Sequence, residues 1–243
     1  MSRKKNKQRA EDAAMKKTFP YQQRNPLPPI QPRNENQKKY NHNLQTYQVN
    51  VAQGAAGVGK TFIVAAKAAD AFMKGDIDKI IVARPYVQTG KSSGAKPGSV
   101  YDKLYPYVRP ILDTIRERMG DGKYKNHLKD GVHGEIEVCE LESIRGRSFD
   151  ERCWLIVDEC QQATAKELIA ILTRIGTDCR VTLCGDIKQN DLKERSGLEW
   201  LLNHVSVHNI DIGITTFTSD DIVRSGFVKD FVKSLEDSNS IYY

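Results

Sequence analysis

Hydrophobic and polar positions follow two regimes along the chain. Over the first forty residues apolar side chains are sparse and keep no period. From about residue 48 short apolar runs recur with helically spaced stretches between them. The runs at 48–53, 79–84, 135–139, 154–157, 180–184 and 210–217 read as strands. Ile80-Ile81-Val82-Ala83 and Trp154-Leu155-Ile156-Val157 are apolar throughout, the composition of strands buried on both faces. Stretches 61–73, 165–174, 197–205 and 221–236 carry helical spacing, and another helix is expected from 101 or 108 to 119. An irregular stretch is expected over 85–100. Strands alternating with helices predict an α/β domain, a mainly parallel sheet with helices on both faces.

Charge divides the chain at the same place. Residues 1–40 hold 11 Lys and Arg against three Asp and Glu, a net +8; the remainder holds 26 against 28, a net −2. The first segment also carries Pro20, Pro26, Pro28, Pro29 and Pro32, five of the nine prolines. Residues 1–33 are therefore expected to be a basic, proline-rich arm, disordered or extended, and residues 34–243 the folded domain. Such an arm can bind polyphosphate non-specifically or serve as a solvated tail. No segment approaches the ~20 apolar residues that span a bilayer, so no membrane partner is expected. The N-terminus lacks the apolar stretch of a secretory signal. Five cysteines without a C-x-x-C pair fit a reduced, cytoplasmic protein without a zinc site.

The strongest chemical signal is Gly54-Ala55-Ala56-Gly57-Val58-Gly59-Lys60-Thr61, a full match to G-x-x-x-x-G-K-[ST] between a strand and an alanine-rich helix. Glycines let the backbone curl so that successive N–H groups face phosphate oxygens, and the helix N-terminus adds its positive field. Lys60 is expected to reach the β- and γ-phosphates and Thr61 to ligate Mg²⁺. The apolar strand 154–157 ends in Asp158-Glu159. Asp158 is expected to hold Mg²⁺, and Glu159 to orient and deprotonate an attacking water. Strand 180–184 ends in Gly185-Asp186 with Gln189 three residues on, where an amide can sense both γ-phosphate and water. Gln37, 17 residues before Gly54, has an amide able to pair with the adenine N6/N7 edge and so to select ATP.

With these residues in view the sequence resembles the PhoH-like family of P-loop ATPases, from about Asn36 to Glu236. The resemblance extends past the loop to Ala83-Arg84-Pro85, Ala95-Lys96-Pro97-Gly98 and Ile144-Arg145-Gly146-Arg147-Ser148. It continues through Asp158-Glu159-Cys160-Gln161, Leu172-Thr173-Arg174-Ile175-Gly176, Gly185-Asp186-Ile187-Lys188-Gln189 and Ser219-Asp220-Asp221-Ile222-Val223-Arg224. Departures are Ala55 for the loop proline, Cys160 for the alanine after the acids, and Ser225 for a histidine after Arg224.

The resemblance implies a RecA-like core related to superfamily-one helicases, with ATP and Mg²⁺ as ligands and hydrolysis as the reaction. It also implies hexamers, and in some relatives RNA unwinding or a nuclease domain. A two-domain helicase supplies an arginine to the γ-phosphate from its second domain, and 210 residues suit one such domain. A homo-oligomeric ring supplies that arginine from a neighbour. Arg224 is the first candidate, Arg147 and Arg174 the alternatives. Between Arg84 and Arg109, Lys91, Lys96 and Lys103 interleave with Tyr86, Tyr101, Tyr105 and Tyr107, which suits RNA or single-stranded DNA as well as plain packing. Two other readings stay open: a P-loop kinase, and an ATP-dependent ring acting in assembly without unwinding.

Overall fold

A computed structural model describes residues 27–85, 99–129, 131, 133–144, 146–190, 192 and 195–237. Most of the expected basic arm, and with it Lys91, Lys96, Tyr86 and Arg145, lies outside the described residues.

The strands are β1 (Val49–Gln53), β2 (Lys79–Arg84), β3 (Ile136–Glu140), β4 (Cys153–Val157), β5 (Arg180–Gly185) and β6 (Gly213–Thr216). They form a single sheet in the order β3-β2-β4-β5-β1-β6, with every pair parallel. The helices are α1 (Glu35–Thr46), α2 (Lys60–Lys74), α3 (Val100–Met119), α4 (Asp121–Leu128), α5 (Ala165–Leu172), α6 (Gly197–His208) and α7 (Gly226–Asp237). This is the open, doubly covered sheet of a RecA-like α/β domain.

The two-residue period of a strand sorts the core into two layers. Ile80, Val82, Trp154, Ile156 and Cys184 face a cluster built with α1, α2 and α3. Ile81, Ala83, Leu155, Val157, Val181 and Leu183 face the opposite cluster, with α5 and α6. Both layers are dry, which is why these strands carry no polar alternation. Each fully buried aliphatic side chain contributes about 1.5–3 kcal/mol. Trp154 is the one bulky polar-tipped residue among them, and its indole N–H donates to Thr182 Oγ1 at 3.0 Å.

Capping fixes where the helices start. Asn34 accepts from the Gln37 N–H at 2.8 Å and opens α1. Ser99–Asp102 and Thr164–Glu167 form reciprocal capping boxes at α3 and α5. By contrast, α2 begins at Gly59 in the left-handed region with no side-chain cap.

Four elements differ from the sequence expectation, the first being α4 at Asp121–Leu128, where no helix was expected. A helix stands at Glu35–Thr46, ahead of the first expected strand. The last strand starts at Gly213 because Asn209, left-handed at φ 51°, ends α6 and leaves 210–212 as a link. The last helix starts at Gly226, five residues after the expected start, because Ser219–Asp221 close a tight 3-10 turn capped by Thr218. The described end of the expected arm, residues 27–33, is pinned to the domain. Arg118 on α3 pairs with Asp70 on α2 and donates to Pro28 O at 2.8 Å, and Ile30 packs on the core.

Candidate functional site

The chemistry-bearing residues gather at the carboxyl edge of the sheet, where ligands of open α/β sheets bind. The loop from Gly54 to Gly59 joins β1 to α2 and is shaped by three close approaches, the first at Gly54, at φ 134°, where a Cβ would collide with the Phe217 carbonyl. Gly57, at φ 86°, has no room for a Cβ, since the Arg224 Cγ lies 2.9 Å from its position. Gly59, at φ 93°, faces Gln37 Nε2 at 3.1 Å by the same measure. Val58 is fully buried and anchors the loop in the core. Lys60 folds back so that its ammonium donates to Gly54 O and, at 2.9 Å, to Ala55 O. The loop therefore curls at the N-terminus of α2 with the Lys60 ammonium beside it, a cradle suited to phosphate.

Gln37 is held against the loop by its amide. Each end of its amide already makes one bond within the chain, which leaves one N–H and one lone pair over. Oε1 accepts from the Arg33 N–H and Nε2 donates to Val58 O, each at 2.8 Å, and the residue is 4% exposed. Gln37 thereby braces the loop through Val58.

Thr61, on the first turn of α2, donates to Asp158 Oδ1 at 2.9 Å across the sheet. That hydroxyl and carboxylate form an oxygen donor pair suited to a small hard cation such as Mg²⁺. Asp158 is mostly buried. Burial pushes its carboxyl above the usual range, Glu159 adds to the rise, and Arg84, Thr61 and Lys60 oppose it. Glu159 sits in the left-handed region at φ 52°, uncommon for a residue with a Cβ. This turns its side chain back over the strand end. There Oε2 accepts from Gln161 Nε2 at 2.6 Å.

Gln161 was not singled out by the sequence reading, yet it is 1% exposed and ties two strand ends together. Its Oε1 accepts from the Asp186 N–H at 3.1 Å while its amide nitrogen holds Glu159. Gln189 is oriented by the same cluster, donating to Asp186 Oδ2 at 3.0 Å. Its carbonyl accepts from Gln162 Nε2 at 2.8 Å. Arg84, known beforehand only as part of a motif, also joins the site. It lies 3.4 Å from Asp158 Oδ2 and 3.8 Å from Glu159 Oε1. The signal was available in the register. Ala83 pairs with Val157, so the next residues, Arg84 and Asp158, stand side by side.

The three arginine candidates part company. Arg224 lies against its own loop. Val223 N–H donates to Gly57 O at 3.2 Å, and the Arg224 stem covers Gly57. The arginine expected to reach a neighbour's nucleotide is thus beside the loop of its own protomer. Arg147 is engaged elsewhere, paired with Glu137 and Glu151 near the start of β2 and stacked on Phe149. Despite burial, Arg147 and Lys79 hold the Glu137 carboxyl below the ordinary range. Arg174 follows α5 and donates back to Ala170 O at 3.1 Å, at the amino edge of the sheet. Of the tyrosines expected at a nucleic-acid surface, Tyr101 and Tyr105 pack together on the core with ring centroids 5.4 Å apart. Tyr107 is exposed. Among the described residues no helix is long and apolar enough to cross a membrane.

Comparison with known proteins gives one consistent answer. The family model described as PhoH-like protein matches residues 29–236. Protein PhoH of Escherichia coli K12 is 39% identical over 199 residues, covering 81% of this chain and 55% of the relative. The PhoH-like protein of Mycobacterium leprae is 33% identical over 205 residues, covering 84% and 57%. That of Bacillus subtilis is 33% identical over 189 residues, covering 76% and 57%. The chain therefore spans a little over half the length of these relatives. Among solved structures, the UvsW helicase from bacteriophage T4 aligns over 87% of this chain and 67% of its own, with 14% identity and a TM-score of 0.47. At 39% identity to one relative and with a family model spanning Pro29 to Glu236, the chain belongs to the PhoH-like family.

Proposed function

We propose that this chain is an ATPase whose site is the carboxyl-edge cluster just described, with Mg²⁺ as cofactor. The observation that carries the reading is the hydrogen bond from Thr61 to Asp158. It brings the turn after the glycine loop and the acid strand together at one point.

In this reading the loop amides from Gly54 to Thr61 cradle the β- and γ-phosphates, and the Lys60 ammonium turns from the loop carbonyls to the phosphate oxygens. Thr61 and Asp158 would hold Mg²⁺, which when bound neutralises charge developing on the phosphoryl oxygens. Glu159, held over the strand end by Gln161, accepts the proton of the attacking water. The Gln189 amide orients that water or the γ-phosphate from its seat on Asp186. Arg224 supplies positive charge to the γ-phosphate of its own protomer. Gln37 acts through Val58, setting the loop's shape without touching the base.

Coupling to RNA or single-stranded DNA, assembly into a homo-oligomeric, hexameric ring, and a cytoplasmic setting belong to the same proposal. The family resemblance supports the nucleic-acid and ring readings, and the exposure of Tyr107 beside the strand end of β2 supports the first. The test is phosphate release by the purified full chain, with and without RNA or single-stranded DNA, on a sample of known mass. Turnover lost in Lys60→Ala supports the site. Turnover retained in Lys60→Ala sinks it.

A further inference from the structure

The most unusual contact at the site is the one between Arg84 and the two acids. Arg84 ends β2 and Asp158 follows β4. Their strands are neighbours in register, and the two-residue period sends both side chains to the layer of α2 and α3. One guanidinium nitrogen lies 3.4 Å from Asp158 Oδ2 and another 3.8 Å from Glu159 Oε1. The same group is held from the other side by α3. It lies 5.3 Å from the centre of the Tyr107 ring, and Nη1 lies 3.4 Å from Tyr107 O. Arg84 is thus seated between the candidate metal ligands and an exposed aromatic helix residue, and is only 23% exposed itself.

We propose that Arg84 competes with the divalent cation for the acidic pair, so that metal binding at Thr61 and Asp158 releases Arg84 toward Tyr107. This rests on the ATPase reading of the site and adds a residue to it. The physical reason is charge. A carboxylate already neutralised by a fixed guanidinium attracts Mg²⁺ less than one facing only neutral donors, and Asp158 has little water to screen the exchange. Thr61 meets Asp158 Oδ1 and Arg84 faces Oδ2, so a divalent ion beside Thr61 and the guanidinium share the charge of one carboxylate and repel each other across it. The ion therefore displaces the guanidinium, whose alternative seat, the Tyr107 ring, already touches it. Arg84 is a positioning residue here, acting on metal affinity, not on the phosphoryl group.

The prediction has an unusual sign, since removing a residue improves a binding step. The test is Mn²⁺ titration followed by electron paramagnetic resonance, on the full chain with ADP and without nucleotide. Arg84→Gln and Arg84→Met, both neutral and of similar reach, should bind Mn²⁺ about tenfold tighter than the natural chain, equivalent to about 1.4 kcal/mol. Arg84→Lys, which keeps the charge, should stay near the natural value. Thermal melts of each variant check folding, and two neutral replacements guard against one failing to fold. Mn²⁺ affinity unchanged or weakened in the folded neutral variants overturns the proposal and makes Arg84 a structural or phosphate-binding arginine. Asp158→Asn separates the two levels. If it leaves Mn²⁺ binding intact, the metal site assigned above is wrong, and the competition with it. If it abolishes binding, the Arg84 variants decide the competition alone.

Discussion

Gln37 offers a sharp test because its two candidate roles predict opposite patterns. Its amide makes two bonds of 2.8 Å, one to the buried Val58 carbonyl and one from the Arg33 N–H. Replacing Gln37 with Ala removes both bonds and leaves the Val58 carbonyl facing an apolar gap. An orphaned buried acceptor costs about 1–3 kcal/mol and a lost neutral bond about 1 kcal/mol, so about 3 kcal/mol is expected. For a domain of this size that lowers the melting temperature by about 6–12 °C. Gln37→Glu should be worse despite its shape, because it sets a carboxylate oxygen against the carbonyl of Val58. The assay pairs thermal unfolding with binding of fluorescent ATP and GTP analogues. If Gln37 braces the loop, both nucleotides weaken together, their ratio staying within about twofold. A residue reading the adenine edge would shift that ratio by about 1–3 kcal/mol. An unchanged melting temperature with selective loss of ATP would refute the bracing argument.

Other residues give further expectations. Asp158 has its folded-state carboxyl raised by burial, then by Glu159. Its charged form is therefore unfavourable in the fold at neutral pH, and this cost disappears as pH falls below the unfolded value of about 3.9. In chelator, Asp158→Asn should melt above the natural chain at pH 7, with the gap closing as pH approaches 4. A lower melting temperature at pH 7 would mean that the partners Thr61 and Arg84 outweigh desolvation. Arg224→Ala should bind ATP but hydrolyse it ~10³-fold more slowly if it meets the γ-phosphate. Because Arg224 lies on its own loop, mixing Arg224→Ala with Lys60→Ala should restore no activity. Recovery on mixing would restore the neighbour-supplied arginine.

What the sequence made legible was the part written in local pattern. The apolar runs around Ile81 and Ile156 announced parallel strands, because strands dry on both faces have no polar positions to disguise them. The glycine loop, Asp158 and Glu159 announced the carboxyl edge, because phosphate cradles and strand-end acids are local motifs. Helix α1 was hidden because its buried face is built from Gln37, Tyr40, Asn43 and Leu44, half of it polar. Only the Asn34 cap marked it. Strand order was not legible at all, since β5 inserts between β1 and β4 through pairing that no local pattern records. Arg84 needed that order before it could be set beside Asp158. Gln37 and Arg224 were found as residues but not as partners, because both contacts join segments far apart in sequence to the loop. Val58 and Gly57 look like ordinary loop positions until those neighbours are seen.

The central claim is that Glu159 and the glycine loop serve one reaction, hydrolysis of a nucleotide bound at Lys60. A single-turnover measurement on the full chain tests it most directly, following bound ATP and released phosphate together in the natural chain, Lys60→Ala and Glu159→Gln. The account predicts that Glu159→Gln retains bound ATP while releasing phosphate ~10²–10⁴-fold more slowly, and that Lys60→Ala does neither. Phosphate release by Glu159→Gln at the natural rate would contradict it.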